Sequence, residues 1–155
     1  MRLATLEYIN HPPLLELYRI QGLDLLDVPF YVSYISAGFP SPADDYLDDS
    51  INLSDYLVRN PSATFVMRVR GNSMIDANIR DGAVLVVDRS VKPADGLIAA
   101  CYLDGAFTVK TIRLREGKLY LEAANAAYPD IEVAEEMEMR VFGIVTYIIH
   151  QASKR

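Results

Sequence analysis

The sequence places one serine where it could act as a nucleophile. Ser73 lies in the run Gly71-Asn72-Ser73-Met74, directly after a stretch, residues 63–70, that is typical of a strand. A glycine permits a tight turn, from which a serine hydroxyl can project and backbone N–H groups can face a developing oxyanion. The same spacing also fits a plain turn in which Ser73 caps a backbone group and Met74 fills the core.

A lysine in a second predicted strand could supply the base. Alternation along Ala106–Arg115 puts four side chains on one face: Thr108, Lys110, Ile112 and Leu114. The other face carries the charges of Arg113 and Arg115. Burial among apolar neighbours would lower the lysine pKa from its usual value of about 10.4 and favour the neutral amine that a general base must be. A lysine that extends its ammonium group to solvent fits the pattern as well.

Histidine and cysteine are too scarce for several other site chemistries. The two histidines, His11 and His150, are far apart in the sequence, and Cys101 is the single cysteine. An internal disulfide and a cysteine-based zinc site are therefore excluded, and a Ser-His-Asp triad is hard to build. Lysine is the known alternative base for serine. We expect no metal and no cofactor.

Composition indicates one globular domain of ordinary size. The chain has 155 residues, of which 51% are hydrophobic and 23% are charged. The longest apolar run, residues 97–103, is far shorter than the roughly 20 residues of a membrane-spanning helix. With no secretory pattern at its start, the chain is expected to be cytoplasmic. The net charge of −6 argues against direct sequence-specific DNA binding.

The elements that must position Ser73 and Lys110 are predicted to be β-strands. Six stretches have the strand pattern: residues 63–70, 83–87, 96–103, 106–115, 118–123 and 139–150. Asp104-Gly105 and Glu116-Gly117 join neighbouring strands as two-residue hairpin turns. Many short strands with glycine turns predict a mainly β, compact domain.

The pattern changes near residue 37, which suggests a flexible N-terminal arm, residues 1–37, ahead of a β domain, residues 38–155. The arm has weak helical stretches at residues 14–19 and 23–27 and an extended stretch at residues 28–37. Within the domain, residues 54–59 predict a short helix with Ser54 as its N-cap.

Several motifs, in this order, resemble the LexA/UmuD-type self-cleaving peptidase family. They are Ala37-Gly38, Gly71-Asn72-Ser73-Met74-Ile75-Asp76, Asp81-Gly82 before an apolar strand, and Phe107-Thr108-Val109-Lys110. Three further stretches resemble the UmuD branch of that family: Gly38-Phe-Pro-Ser-Pro-Ala43, Asn60-Pro-Ser-Ala-Thr64 and Val141-Phe-Gly-Ile-Val145. The resemblance covers about residues 36–150.

The resemblance implies a mostly β catalytic domain that removes its own N-terminal segment. Ser73 matches the nucleophile, Lys110 the base, and Ala37-Gly38 the scissile pair, while Asn72 and Ser73 would lend backbone N–H groups to the oxyanion. The resemblance also implies that self-cleavage is stimulated by the RecA-DNA filament. It implies further that the trimmed UmuD-like product is a homodimer that joins a UmuC-like Y-family DNA polymerase in SOS mutagenesis. Residue 72 is asparagine where the family often has an acid, and the chain matches poorly before Ser36.

Three alternatives stay open beside this interpretation. A LexA-like repressor would need an N-terminal helix-turn-helix, which residues 1–37 are poorly suited to form. A signal-peptidase-like enzyme would need a membrane anchor. A non-catalytic β scaffold that binds a polymerase would lack self-cleavage. Independently, residues 139–150 form a long apolar strand that could be an exposed edge, and pairing of such edges predicts a homodimer.

Overall fold

The computed structural model describes residues 51–152 in full and, before them, the backbone of residues 7–8, 15–19, 27–31 and 47–50. In chain order the strands are β1 (Glu7–Tyr8), β2 (Leu15–Arg19), β3 (Asp27–Tyr31), β4 (Leu47–Asn52), β5 (Thr64–Val69), β6 (Val84–Asp88), β7 (Ile98–Leu103), β8 (Ala106–Arg115), β9 (Lys118–Glu122), β10 (Ile131–Glu132) and β11 (Met139–Ile149). The helices are α1 (Leu53–Leu57) and a single 3-10 turn, Ile75–Ala77.

The described strands confirm the predicted mainly β fold. Nine of them form one antiparallel sheet in the order β1-β2-β5-β6-β11-β7-β8-β9-β10, and β3 pairs with β4 separately. The sheet buries two apolar clusters, one around Met67, Leu85 and Val87 and the other around Ala99, Ile112 and Leu121. The first cluster also contains Met74, so the turn that follows β5 is anchored in the core.

The two predicted hairpin turns are confirmed. Asp104 and Gly105 have φ values of 45° and 88°, and Glu116 and Gly117 have φ values of 51° and 78°. Positive φ at both turn positions gives the turn type whose twist matches that of the flanking strands. The six predicted strands are present with ends shifted by at most two residues.

The helix predicted at residues 14–19 is wrong. Residues 15–19 form strand β2 rather than a weak helix, because they pair with β5 from Leu15 opposite Val69 to Arg19 opposite Phe65. Pairing with a sheet edge overrides a weak local preference. Strand β4 was not predicted. The expected extended stretch begins as β3, and residues 32–37 lie outside the described residues, as do residues 23–26 of the second predicted helix.

The predicted short helix is present but begins and ends earlier than expected. Asn52 is the N-cap, since its side chain accepts a hydrogen bond of 3.0 Å from the Asp55 N–H, and Ser54 lies inside the helix. The helix ends at Leu57.

Within the part of the chain that the structure describes, no helix has the length and apolar character needed to cross a membrane.

The expectation that residues 139–150 form an exposed edge is wrong. Strand β11 pairs with β7 through Met139 to Ile144 and with β6 through Ile144 to Ile149, and it lies in the middle of the sheet. The backbone of β11 is therefore paired on both sides, and this strand offers no open edge to another chain. Strand β11 thus gives no support for the homodimer expected from an open edge.

Strand β11 passes very close to β6 at Gly143. A Cβ atom at this position would lie 2.8 Å from Val87 Cγ1 and 3.1 Å from the Asp88 carbonyl oxygen. We expect Gly143→Ala to lower the free energy of unfolding by about 1–3 kcal/mol, because a methyl group there forces the buried Val87 and the backbone apart. Urea denaturation followed by circular dichroism measures the change.

Arg140→Ala is the matched control for Gly143→Ala, since Arg140 lies on the same strand with its side chain 74% exposed. A surface change of this kind should alter the free energy of unfolding by about 0.5 kcal/mol or less. Equal stabilities of the two variants would show that Gly143 is not constrained.

Candidate active site

The fold brings Ser73 and Lys110 together from two strands that are not neighbours in the sheet. Ser73 follows β5, and Lys110 lies in the first half of β8, which is four positions away in the strand order. The Lys110 Nζ donates a hydrogen bond of 2.9 Å to the Ser73 Oγ and a second of 3.2 Å to the Val109 carbonyl oxygen. The two residues that sequence motifs singled out therefore form one contact.

Lys110 is buried, with 6% of its surface exposed. Loss of hydration lowers the pKa of its ammonium group, and the Cys101 thiol opposes this slightly through its charge when ionised. Burial in turn raises the pKa of Cys101 to about 12, so that thiol is neutral near physiological pH. Among the described residues, no carboxylate pairs with Lys110 to hold it charged.

The predicted alternation along β8 is only partly confirmed. Val109, Lys110, Thr111 and Ile112 are all buried, so both faces of the strand are covered at its middle. Leu114, expected on the apolar face, is 59% exposed because it lies near the strand end. The burial of Lys110 thus comes from its central position in a covered sheet as much as from the side it faces.

The turn that carries Ser73 is held from one side by the predicted Asp81-Gly82 motif. Gly71 has a φ of 97°, a conformation that strongly favours glycine. Its N–H donates a hydrogen bond of 2.6 Å to the Asp81 Oδ1, and the Gly82 N–H donates to the Val69 carbonyl oxygen at 2.8 Å. These contacts fix the exit of the chain from β5 and hence the position of Ser73.

The loop after β9 holds the same turn from the other side, which sequence reasoning missed. The Asn125 Nδ2 donates a hydrogen bond of 2.8 Å to the Asn72 carbonyl oxygen. The Asp76 N–H donates to the Ala124 carbonyl oxygen at 2.8 Å, and the Ala124 N–H lies 3.3 Å from the Met74 Sδ. No local pattern connects these residues, since Asn125 and Asn72 are 53 positions apart.

A cleft of about 280 Å³ opens beside the serine and the lysine. It is lined by the end of β5 and the following turn, by the start of β8 and by the loop after β9: Val69 to Met74, Phe107 to Lys110, and Tyr128. In the part of the chain that the structure describes, neither the Asn72 N–H nor the Ser73 N–H donates a hydrogen bond.

The candidate scissile pair, Ala37 and Gly38, lies outside the described residues.

Serine peptidases that use a lysine base place a serine hydroxyl within hydrogen-bonding distance of a lysine. Ser73 and the buried Lys110 have this arrangement on a β domain. The chain matches the Peptidase S24-like family over residues 29–146 and belongs to that family. It is 44% identical to the protein MucA of Salmonella typhimurium over 121 residues. The aligned residues cover 77% of this chain and 82% of MucA. The protein SamA of Salmonella typhimurium strain LT2 is 39% identical over 123 residues, covering 79% of this chain and 85% of SamA.

A likeness over a shorter stretch connects the chain with a repressor. The LexA repressor of Bifidobacterium longum is 39% identical over 106 residues, which cover 68% of this chain but 43% of the repressor. The family match and these relatives confirm the resemblance to UmuD. The chain is a UmuD-like SOS mutagenesis protein of the serine peptidase class.

Proposed function

We propose that this chain cleaves its own peptide bond between Ala37 and Gly38, with Ser73 as the nucleophile and Lys110 as the general base. The observation that carries the proposal is the 2.9 Å contact between the Lys110 Nζ and the Ser73 Oγ, with the lysine buried and its pKa lowered. The proposal divides the chain into an arm, residues 1–37, and a peptidase domain, residues 38–155.

The first half of the reaction forms an ester. Neutral Lys110 accepts the hydroxyl proton of Ser73 as the Oγ attacks the Ala37 carbonyl carbon. The N–H groups of Asn72 and Ser73 bind the negative oxygen that develops. The bond between the Ala37 carbon and the Gly38 nitrogen then breaks, and Lys110 returns the proton to the departing amine. Residues 1–37 are left esterified to Ser73.

The second half of the reaction releases the arm. A water molecule attacks the ester carbon while Lys110 takes its proton, and the same N–H groups bind the oxyanion. When the ester bond breaks, Ser73 regains its hydroxyl proton from Lys110 and the new carboxyl group of Ala37 departs with residues 1–37. The small side chain before the cut and the glycine after it let the backbone approach the serine closely.

The activating partner in this proposal is a RecA-DNA filament, which would dock the arm and exclude water around Lys110. The test is to incubate the full chain near neutral pH with and without RecA assembled on single-stranded DNA. Mass spectrometry should then show fragments 1–37 and 38–155 accumulating faster with the filament. Equal rates in both samples would show that the filament does not stimulate self-cleavage.

The trimmed product is proposed to be a homodimer and to join a UmuC-like Y-family DNA polymerase. Cleavage after residue 37 would remove β2, which pairs with β5 in the intact chain, and would leave that strand with an open edge. Open edges favour pairing with a strand from another chain. Sedimentation that shows only monomers of residues 38–155 at micromolar concentration would count against the dimer.

A further inference from the structure

The peptide unit between Asn72 and Ser73 is held by a side chain from outside the Ser-Lys pair. We propose that Asn125 is a positioning residue, whose amide orients this peptide so that the Ser73 N–H faces the reacting oxygen. The inference rests on the proposed function, because it assigns a role in stabilising the oxyanion of that reaction.

The geometry of the peptide bond connects Asn125 with the Ser73 N–H. In a planar trans peptide the C=O and the N–H point in opposite directions, so fixing one fixes the other. The Asn72 carbonyl oxygen accepts a hydrogen bond of 2.8 Å from the Asn125 Nδ2 and another of 3.2 Å from the Ile75 N–H. The Ser73 N–H of the same unit must therefore point away from Asn125 and Ile75.

A second contact holds an earlier peptide unit, between Arg70 and Gly71. The Gly71 N–H donates to the Asp81 Oδ1 at 2.6 Å. The N–H groups of Asn72 and Ser73 thus lie in a short segment that is held by Asp81 at one end and by Asn125 at the other. Within the described residues neither N–H group donates a hydrogen bond. A donor pair that is held in place and free of other partners binds a developing negative charge without reorganisation.

The two ends of the Asn125 side chain have separate contacts. The Oδ1 accepts a hydrogen bond of 2.9 Å from the Ala127 N–H and so caps the loop that carries Asn125. The Nδ2 holds the Asn72 carbonyl oxygen. Donation to that oxygen also polarises the peptide unit, which strengthens its N–H as a donor. A substitution that keeps the oxygen and removes the nitrogen therefore separates the loop from the turn.

The experiment uses a phosphonofluoridate, which does not need the arm as substrate. The Ser73 Oγ forms a bond to phosphorus, the P–F bond breaks, fluoride leaves, and Lys110 takes the hydroxyl proton. The rate is measured as a function of pH by mass spectrometry of the full chain, and self-cleavage is followed in parallel. Asn125→Asp keeps an acceptor for the Ala127 N–H but has no donor for Asn72, and Asn125→Ala lacks both contacts.

Both variants should lower the plateau rate at high pH by about tenfold or more, since complete loss of one oxyanion donor costs about 10²–10³-fold. In Asn125→Ala the pH midpoint, which Lys110 sets, should stay where it is in the unchanged protein. Loosening of the cleft would instead hydrate Lys110 and move the midpoint upward. Asp130→Asn is the control in the same loop, because Asp130 contacts Ala123 and Arg115 and not the turn, and its plateau should be unchanged.

The outcomes separate this inference from the proposed function. Slower phosphonylation in both Asn125 variants supports the positioning role even if the chain fails to cleave itself, in which case self-cleavage alone is rejected. A plateau in Asn125→Asp equal to that of the unchanged protein would overturn the positioning role. A shifted midpoint with an unchanged plateau in Asn125→Ala, or a Ser73 that does not react in the unchanged protein, would overturn it too.

Discussion

Ser73→Ala should abolish self-cleavage and leave the fold intact. The substitution removes the oxygen that attacks the Ala37 carbonyl carbon, so the rate should fall by about 10³-fold or more, below detection. The cost in stability should be small, because Ser73 is half-buried in a turn and its hydroxyl contacts only Lys110 among the described residues. A gel time course at alkaline pH measures cleavage, and circular dichroism checks the fold.

Ser62→Ala is the matched control for the serine prediction. Ser62 is exposed, and its hydroxyl contacts Asn60 rather than the cleft, so this variant should be cut at the rate of the unchanged protein. If Ser73→Ala still yields a fragment that begins at Gly38, the nucleophile has been assigned wrongly.

The second large effect is expected from pH and from changes at Lys110. Burial lowers the pKa of this lysine, and only its neutral form can accept the Ser73 proton. The cleavage rate should therefore rise about tenfold per pH unit while the lysine is mostly charged and then level off. Because the pKa is lowered, the midpoint of the rise should lie below the value of about 10.4 at which an exposed lysine is half-deprotonated.

Two substitutions of Lys110 separate the base from the charge. Lys110→Arg should be inactive at every pH, since a guanidinium group stays protonated. Lys110→Ala should be inactive because the base is missing. Lys92→Arg, at an exposed lysine, should keep the profile of the unchanged protein. Cleavage rates from about pH 6 to about pH 11 test all three, and a flat profile or an active Lys110→Arg would exclude lysine as the base.

Features fixed by neighbouring residues were predictable from the sequence. The Asp104-Gly105 and Glu116-Gly117 hairpins follow from turn residues that tolerate positive φ. The contact between Ser73 and Lys110 was expected from motifs that resemble a known family, and the structure places their side-chain atoms 2.9 Å apart. Their catalytic roles remain predictions.

Features fixed by distant pairing were not predictable. Residues 15–19 have a weak local preference, and pairing with β5 on one side and β1 on the other makes them extended. Residues 139–150 carry an apolar pattern that suits an edge or a central strand equally, and the sheet order decides between the two. Asn125 contacts Asn72 because the β9–β10 loop packs on the serine turn, although β9 and β5 are not neighbours in the sheet.

The central claim is that the chain alone can cut itself between Ala37 and Gly38. The most direct measurement is a mass spectrum of the purified full chain after incubation without any partner at about pH 10, where burial should leave more of Lys110 neutral than of an exposed lysine. The account predicts two products with the masses of residues 1–37 and 38–155. A chain that keeps its intact mass, or products with a different boundary, would contradict it.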